Sequence, residues 1–154
     1  MLPPFLMPMA VRILLVDDNA KMRQAYRALI AKAPDMTVVG EVEDGDQTLE
    51  AVLRLAPNLV LMDVEMKRVG GLAATRLLAQ LHPARPKVMI VSGHGDQHLV
   101  AEALREGACG YLLKTRAAPE LVLAIRKVMD GGVYVNGRVV ELSEIERDRV
   151  AAIE

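Results

Sequence analysis

Residues 11–18 of the chain are VRILLVDD, a mostly apolar run that ends in two aspartates. A short continuous run of Val, Leu and Ile is typical of a strand that is buried on both faces. A second such run, residues 59–62, ends at Asp63, and a third, residues 110–113, ends at Lys114. Because parallel strands bring their carboxyl ends to the same edge of a sheet, we expect these charged side chains to converge there.

Strand and helix patterns alternate five times along the chain. Two further strands are predicted at residues 37–42 and 87–91, and each strand is followed by a segment with helical spacing of apolar residues. The predicted helices cover residues 19–33, 46–56, 70–82, 96–106 and 119–130. This alternation predicts an α/β fold, a flavodoxin-like (βα)5 doubly wound parallel sheet with the strand order 2-1-3-4-5.

The segments on either side of this unit have a different character. Residues 1–10 are apolar but contain three prolines and no basic stretch, so we expect a flexible leader. Residues 11–132 form the predicted domain. Residues 133–154 form a linker and a C-terminal helical tail, for which Ser143 and Glu146 provide a capping box.

Composition excludes several classes of protein. The chain has 154 residues and a net charge of −1, so no overall basic field attracts it to nucleic acid or to an anionic membrane. No apolar run approaches the roughly 20 residues that span a bilayer. The single cysteine, Cys109, rules out an internal disulfide and fits a small buried side chain in a reducing compartment. We therefore expect a cytoplasmic protein without a membrane segment.

The predicted meeting of Asp17, Asp18 and Asp63 requires protonation, a cation or the nearby lysine, and a cation such as Mg²⁺ meets this need. Two unit charges about 5 Å apart repel each other by roughly 3 kcal/mol at an effective dielectric constant near 20. Mg²⁺ prefers oxygen ligands and keeps several of its waters, which leaves positions for phosphoryl oxygens. We expect Asp18 to bind the metal directly, Asp17 to bind it directly or through water, and Glu65 to contribute its backbone carbonyl.

Asp63 is the predicted nucleophile, because it directly follows a strand and its backbone is held by the sheet. A carboxylate can accept a phosphoryl group to form an aspartyl phosphate, and Lys114 can neutralise the charge that arrives. The Ser92 hydroxyl, at the end of the fourth strand, can donate to a phosphoryl oxygen that Gly93 allows to approach. Taken singly, each aspartate could instead cap a helix and Ser92 could simply form a turn.

Four segments resemble the receiver domain of two-component response regulators: LVDD at 15–18, LMDVEM at 61–66, VSG at 91–93 and LLK at 112–114. The resemblance covers about residues 11–132. It implies that a sensor histidine kinase donates the phosphoryl group. It also implies a role for each matching position: the phosphoacceptor Asp63, the metal-binding pair Asp17 and Asp18, the hydroxyl of Ser92, the lysine Lys114 and the switch aromatic Tyr111.

The resemblance implies a conformational switch and residues that set the lifetime of the acyl phosphate. When a phosphoryl group draws in Ser92 and Lys114, Tyr111 is expected to turn inward and change the surface of helix 4, strand 5 and helix 5. Glu65 and His94 occupy positions that tune the lifetime of the acyl phosphate in similar receivers. The alternative for this pair is that both side chains are simply exposed to solvent.

Two positions depart from the family pattern. Lys67 stands where the family usually has proline, which predicts a more flexible loop after Asp63 and a positive charge near the site. Gly93 stands where alanine is usual. Neither change removes a chemical group that phosphorylation requires, so we expect a receiver that is competent for phosphorylation.

The tail indicates which output the receiver controls. Residues 142–150 resemble the opening of the helix-turn-helix domain in the NarL/LuxR branch, but neither the helices that would read a DNA groove nor a basic cluster follow. We expect transcription control through an output domain that this chain lacks, and a possible homodimer on phosphorylation. The alternative is a stand-alone receiver that acts through contacts with other proteins.

Enzymes with related folds fit the sequence less well. A dinucleotide-binding enzyme needs glycines after its first strand, where this chain has Asn19 and Ala20. An aspartate-nucleophile phosphatase keeps its nucleophile on the first strand and needs additional loops for which the chain has little room. We therefore expect no catalytic turnover beyond the receiver's own phosphorylation and dephosphorylation.

Overall fold

The computed structural model describes residues 10–81 and 85–140. Within these ranges, five strands alternate with five α-helices and two short strands follow. The elements are β1 Val11–Val16, α1 Ala20–Ile30, β2 Met36–Val42, α2 Thr48–Leu55, β3 Leu59–Met62, α3 Gly71–Ala79, β4 Lys87–Ser92, α4 Gln97–Arg105, β5 Gly110–Leu113, α5 Ala117–Met129, β6 Val133–Val135 and β7 Arg138–Val140. Residues 1–9 of the predicted leader (1–10) and the predicted helical tail from residue 141 lie outside the described residues.

The strands form one sheet with the order β2-β1-β3-β4-β5-β6-β7. Strands β1 to β5 are parallel and have the predicted order 2-1-3-4-5, so the flavodoxin-like fold is confirmed. Residues 133–140 extend this sheet. Strand β6 pairs with β5 in parallel, and β7 returns antiparallel to β6.

Both faces of the central strands are buried, which explains their unbroken apolar sequences. Side chains alternate across the sheet, so Ile13 and Leu15 of β1 join the core under α1 and α5. Leu14 and Val16 join the core on the opposite face. The alternation continues past the strand end, so Asp17 follows Leu15 onto the α1 and α5 side of the sheet.

Helix starts around the carboxyl edge of the sheet are fixed by side-chain caps. The Asn19 side chain accepts hydrogen bonds from the backbone of Lys21 and Met22, which starts α1 as predicted. Asp96 accepts from Leu99 N and starts α4 in the same way. These caps fix the loops that carry the charged residues of the carboxyl edge.

No helix among residues 10–81 and 85–140 is both long enough and apolar enough to cross a membrane.

Candidate functional site

Three carboxylates meet at the carboxyl ends of β1 and β3. Asp17, Asp18 and Asp63 each place an oxygen within 4.8 Å of the other two. The backbone N–H of Asp63 donates to the Val16 carbonyl at 2.9 Å, and this bond continues the β1–β3 ladder beyond the end of β3. Asp17 and Asp63 are buried, whereas Asp18 is exposed. The predicted acidic cluster is therefore present, with one carboxylate facing solvent.

Lys114 lies between the two buried carboxylates. Its ammonium is 3.3 Å from Oδ1 of Asp63 and 3.4 Å from Oδ2 of Asp17. Burial opposes the charged form of this lysine, but the two carboxylates outweigh it and raise the pKa of Lys114. The ammonium therefore stays charged at neutral pH, beside the oxygens where a phosphoryl group would arrive.

Asp63 is held in an unfavourable electrostatic environment. Burial, reinforced by the Asp17 carboxylate, raises the pKa of Asp63 to about 6, although the Lys114 ammonium opposes the rise. One lysine thus does not compensate for two buried carboxylates. The site has a surplus of negative charge that a cation would relieve.

The donor set fits a hard divalent cation. Oδ1 of Asp17 accepts a hydrogen bond from Asn19 N at 2.8 Å, but its buried Oδ2 receives no well-aligned hydrogen bond from the described residues. Buried polar atoms are rarely left in this state. This oxygen faces the Lys114 ammonium at 3.4 Å, and the oxygen-rich cluster provides the ligands that Mg²⁺ prefers.

Arg23 supports the site from below, a role that the sequence did not reveal. Its buried guanidinium donates to the backbone carbonyl of Asp17 and, through Nε, to Glu41 at 2.9 Å. Arg27 donates to the same Glu41 carboxylate at 2.7 Å. The acidic flank of β2 thus orients the arginine that fixes the turn at Asp17.

The loop after Asp63 is held by Asp44. The carboxylate of Asp44 is buried and accepts from the backbone N–H groups of Arg68 at 2.8 Å and Val69 at 2.7 Å. Lys67, the residue that replaces the usual proline, is exposed and lines the cleft above the carboxylates. Asp44 therefore supplies part of the order that the missing proline would give to this loop.

Gly71, the first residue of α3, allows the helix to start against the phosphoacceptor. A Cβ atom there would lie 1.9 Å from the Asp63 carbonyl oxygen, which no side chain can tolerate. The Gly71 N–H donates to the Val64 carbonyl at 2.9 Å. Glycine at this position lets α3 pack directly on the backbone that carries Asp63.

A cleft of about 370 Å³ opens over the acidic cluster. Asp18, Asp63, Ser92 and Lys114 line its floor and walls together with residues of the two adjacent loops. At its mouth the exposed His94 and Glu65 approach each other, with Nε2 and Oε1 3.0 Å apart. The two residues predicted to tune phosphate lifetime are thus paired across the entrance to the site.

Ser92 and Tyr111 are linked through the loop that follows β4. Oγ of the buried Ser92 accepts from His94 N at 3.1 Å, and the Tyr111 hydroxyl donates to the His94 carbonyl. Tyr111 is fully buried and does not line the cleft. Its side chain is turned into the core, and its hydroxyl reaches the loop that follows β4.

Comparison with known proteins identifies the family. A family model described as the response regulator receiver domain matches residues 13–126, which is most of the chain. The chain belongs to this family. It is a receiver domain of two-component response regulators, as the motifs at the strand ends predicted.

Curated relatives of this receiver are named as response regulators or transcriptional regulatory proteins. It is 37% identical to the transcriptional regulatory protein DegU of Brevibacillus brevis over 129 residues, which are 84% of this chain and 54% of that protein. It is 34% identical over 142 residues to the response regulator UvrY of Escherichia coli (strain K12), covering 90% of this chain and 65% of UvrY. The chain thus spans between about half and two thirds of the length of these relatives.

Solved structures give the same result. The receiver superposes with a TM-score of 0.75 on a LuxR-family two-component response regulator from Aurantimonas sp. SI85-9A1, at 30% identity and with 94% of this chain and 99% of the other covered. The signal receiver domain of the putative response regulator NarL from Mycobacterium tuberculosis has the same TM-score at 28% identity, with coverage of 80% and 99%. The predicted NarL/LuxR branch is confirmed.

Proposed function

We propose that this receiver is phosphorylated on Asp63 by a sensor histidine kinase and that Mg²⁺ is required. The observation that carries the proposal is the convergence of three carboxylates within 4.8 Å beside the Lys114 ammonium. A structural ion pair would need one carboxylate for one lysine. The additional buried carboxylate has a cost in stability that only a cation or a phosphoryl-transfer role explains.

The residues of the site divide the proposed reaction between them. A carboxylate oxygen of Asp63 attacks the phosphorus of a phosphohistidine, the P–O bond forms as the P–N bond breaks, and the imidazole nitrogen leaves with the electron pair. Lys114 and the Ser92 hydroxyl are placed to contact the phosphoryl oxygens. Asp17, Asp18, Asp63 and the Glu65 carbonyl would hold Mg²⁺, which neutralises negative charge on the phosphoryl group.

The proposed signal is a shift between two arrangements of the loop after β4. A phosphoryl group adds about −1.5 to −2 charge to the site and attracts Ser92 and Lys114. Because Ser92 and the buried Tyr111 both bond to His94, a movement of Ser92 would act on Tyr111 through this loop. The phosphoryl group would shift the equilibrium only if it interacts differently with the two arrangements. The surface formed by α4, β5 and α5 would carry the change.

The proposed output is transcription control by a helix-turn-helix domain. The support is that DegU and a second relative, LiaR of Bacillus subtilis, are named transcriptional regulatory proteins and are longer than the matched region. Action as a stand-alone receiver, through protein contacts or a phosphorylation-dependent homodimer, is the alternative. We place the exchange with the kinase in the cytoplasm. Operator binding by the product of the complete gene, with and without phosphodonor, distinguishes the two outputs.

The proposed phosphorylation is tested with acetyl phosphate and Mg²⁺. We expect the chain to gain one acid-labile phosphate, measured by intact-mass spectrometry, and then to stop consuming donor. Continuous release of inorganic phosphate in excess of the chain would indicate a phosphatase instead. Equal uptake by the Asp63→Asn variant would overturn the proposal.

A further inference from the structure

On the edge of β5 that faces away from β4, strand β6 pairs with the first residues, and one residue, Asn136, bonds the last peptides. The backbone N–H of Leu113 and the carbonyl of Tyr111 point away from β4, where they would be unpaired if β5 ended the sheet. Asn136 satisfies both: its Oδ1 accepts from Leu113 N at 2.9 Å, and its own N–H donates to the Tyr111 carbonyl at 3.0 Å.

Asn136 occupies a position that few residues can adopt. Its φ is +45° and that of Gly137 is +92°, so the pair forms the tight turn between β6 and β7. Asn and Gly tolerate this left-handed backbone, and of the two only asparagine has a side-chain acceptor. Strand β6 ends at Val135, so the Asn136 side-chain oxygen accepts the hydrogen bond from Leu113 N that a further carbonyl of β6 would otherwise accept.

The hairpin is also fixed to α5 by side chains. The Tyr134 hydroxyl donates to Oε1 of Glu120 at 2.6 Å, and Arg116 pairs with the same carboxylate. Glu120 of α5 therefore holds the hairpin on one side while Asn136 joins it to β5 on the other.

The two β5 residues that Asn136 hydrogen-bonds, Tyr111 and Leu113, are adjacent to the acidic site. Leu113 directly precedes Lys114, whose ammonium lies 3.3 Å from Asp63 and 3.4 Å from Asp17. Tyr111, whose carbonyl Asn136 also engages, contacts the loop of Ser92 through His94. A shift of the last peptides of β5 would therefore move the lysine and the aromatic together.

We propose that Asn136 is a positioning residue that fixes the end of β5, and with it Lys114, in the geometry for phosphoryl transfer to Asp63. The role rests on the proposed phosphorylation of Asp63. It makes the β6–β7 hairpin a part of the phosphorylation machinery. Because coupling between two sites is reciprocal, phosphorylation should in turn change the stability of the hairpin.

Two variants separate the acceptor from the backbone conformation. Asn136→Gly keeps the positive φ but removes the amide oxygen, whereas Asn136→Asp keeps both the conformation and an acceptor. We expect Asn136→Gly to take up phosphate from acetyl phosphate about fivefold more slowly than wild type, the effect of one lost hydrogen bond, and Asn136→Asp to stay within about twofold of it.

A second readout distinguishes positioning from general loss of structure. The proposed metal ligands lie in the loops that follow β1 and β3, which Asn136 does not contact, so Mg²⁺ affinity should be the same in both variants and wild type. The Leu113 amide should exchange with deuterium faster in Asn136→Gly alone. A parallel loss of Mg²⁺ affinity, or a slow rate that Asn136→Asp shares, would contradict the positioning role.

The remaining outcomes separate this role from the proposed function. If wild type takes up phosphate and Asn136→Gly does so at the same rate, the role of Asn136 is overturned and the function of Asp63 stands. If wild type takes up no phosphate while Asp63→Asn behaves identically, the proposed function fails, and the positioning role fails with it.

Discussion

Asp63 combines burial with negative neighbours, and this combination makes it both costly to the fold and suited to phosphorylation. Lys114 lies 3.3 Å away, but the Asp17 carboxylate and desolvation outweigh it and leave the pKa of Asp63 near 6. A carboxylate with a raised pKa destabilises the folded state once it is ionised. We propose that this carboxylate is present, despite its cost, because it binds the metal and accepts the phosphoryl group.

Replacing Asp63 with Asn is therefore expected to stabilise the metal-free protein at neutral pH. The folded-state pKa of about 6 lies above the ordinary aspartate value of 3.8, so stability is lost as pH rises from 4 through 6. By the 1.36 kcal/mol per pKa unit of linkage, Asp63→Asn should gain about 1 to 3 kcal/mol at pH 7.5. Urea denaturation in a chelator should show this gain shrinking to zero near pH 4. A gain that grew toward acid pH would contradict it.

Glu65 and His94 are expected to act as one unit at the mouth of the cleft. Their ends are 3.0 Å apart and both side chains are mostly exposed, so the pair is worth less than about 1 kcal/mol. We expect Glu65→Ala and His94→Ala each to shorten the phosphate half-life by about two- to fivefold, and the double variant to do no more. His98→Ala, on an exposed position of α4, is the control. Independent, additive effects would show that the pairing has no part in the decay rate.

Among the elements, the loop between β3 and α3 depends on a residue from a different loop. Asp44 accepts two backbone hydrogen bonds from this loop, and Gly45 N donates to the Val69 carbonyl at 3.1 Å. The loop after β2 thus holds the loop that carries Glu65 and Lys67. The flexibility that the lysine at position 67 predicts is limited by this contact.

Removing the Asp44 carboxylate should release the β3–α3 loop. Asp44→Ala leaves the part-buried backbone N–H groups of Arg68 and Val69 without their acceptor, and we expect a loss of about 1 to 3 kcal/mol in unfolding free energy. Asp46→Ala, which removes only an ion pair to Arg68 at 3.4 Å, should cost less than about 0.5 kcal/mol. Equal costs for the two variants in urea denaturation would argue against the role given to Asp44.

Some of these elements and contacts could be predicted from the sequence, and others could not. The sequence predicts that strands end at Asp17, Asp63 and Lys114, because strands of a parallel sheet are buried on both faces and appear as continuous apolar runs. The contacts of Arg23 and Asp44 involve residues distant in sequence, and no periodicity reveals them. The β6–β7 hairpin had a signal, β-branched residues on either side of Asn136-Gly137, but strands of three residues are too short for periodicity to predict which sheet they join.

At the scale of the whole molecule, the acidic site should couple metal binding to stability. Mg²⁺ that binds only the folded state stabilises it by about 1.4 kcal/mol when its free concentration is ten times Kd. We expect Mg²⁺ to raise the melting temperature and a chelator to reverse the effect. The Asp18→Asn variant, altered at the exposed carboxylate, should lose most of the rise. An equal rise in Asp18→Asn would place the metal elsewhere.

The most direct test of the account is the location of the phosphate. The chain is incubated with acetyl phosphate in the presence and absence of Mg²⁺, and the acid-labile phosphate is then mapped by peptide mass spectrometry. We expect one phosphate, on Asp63, formed only in the presence of Mg²⁺. Phosphate on a different residue, or uptake on Asp63 at the same rate in the presence of a chelator, would contradict it.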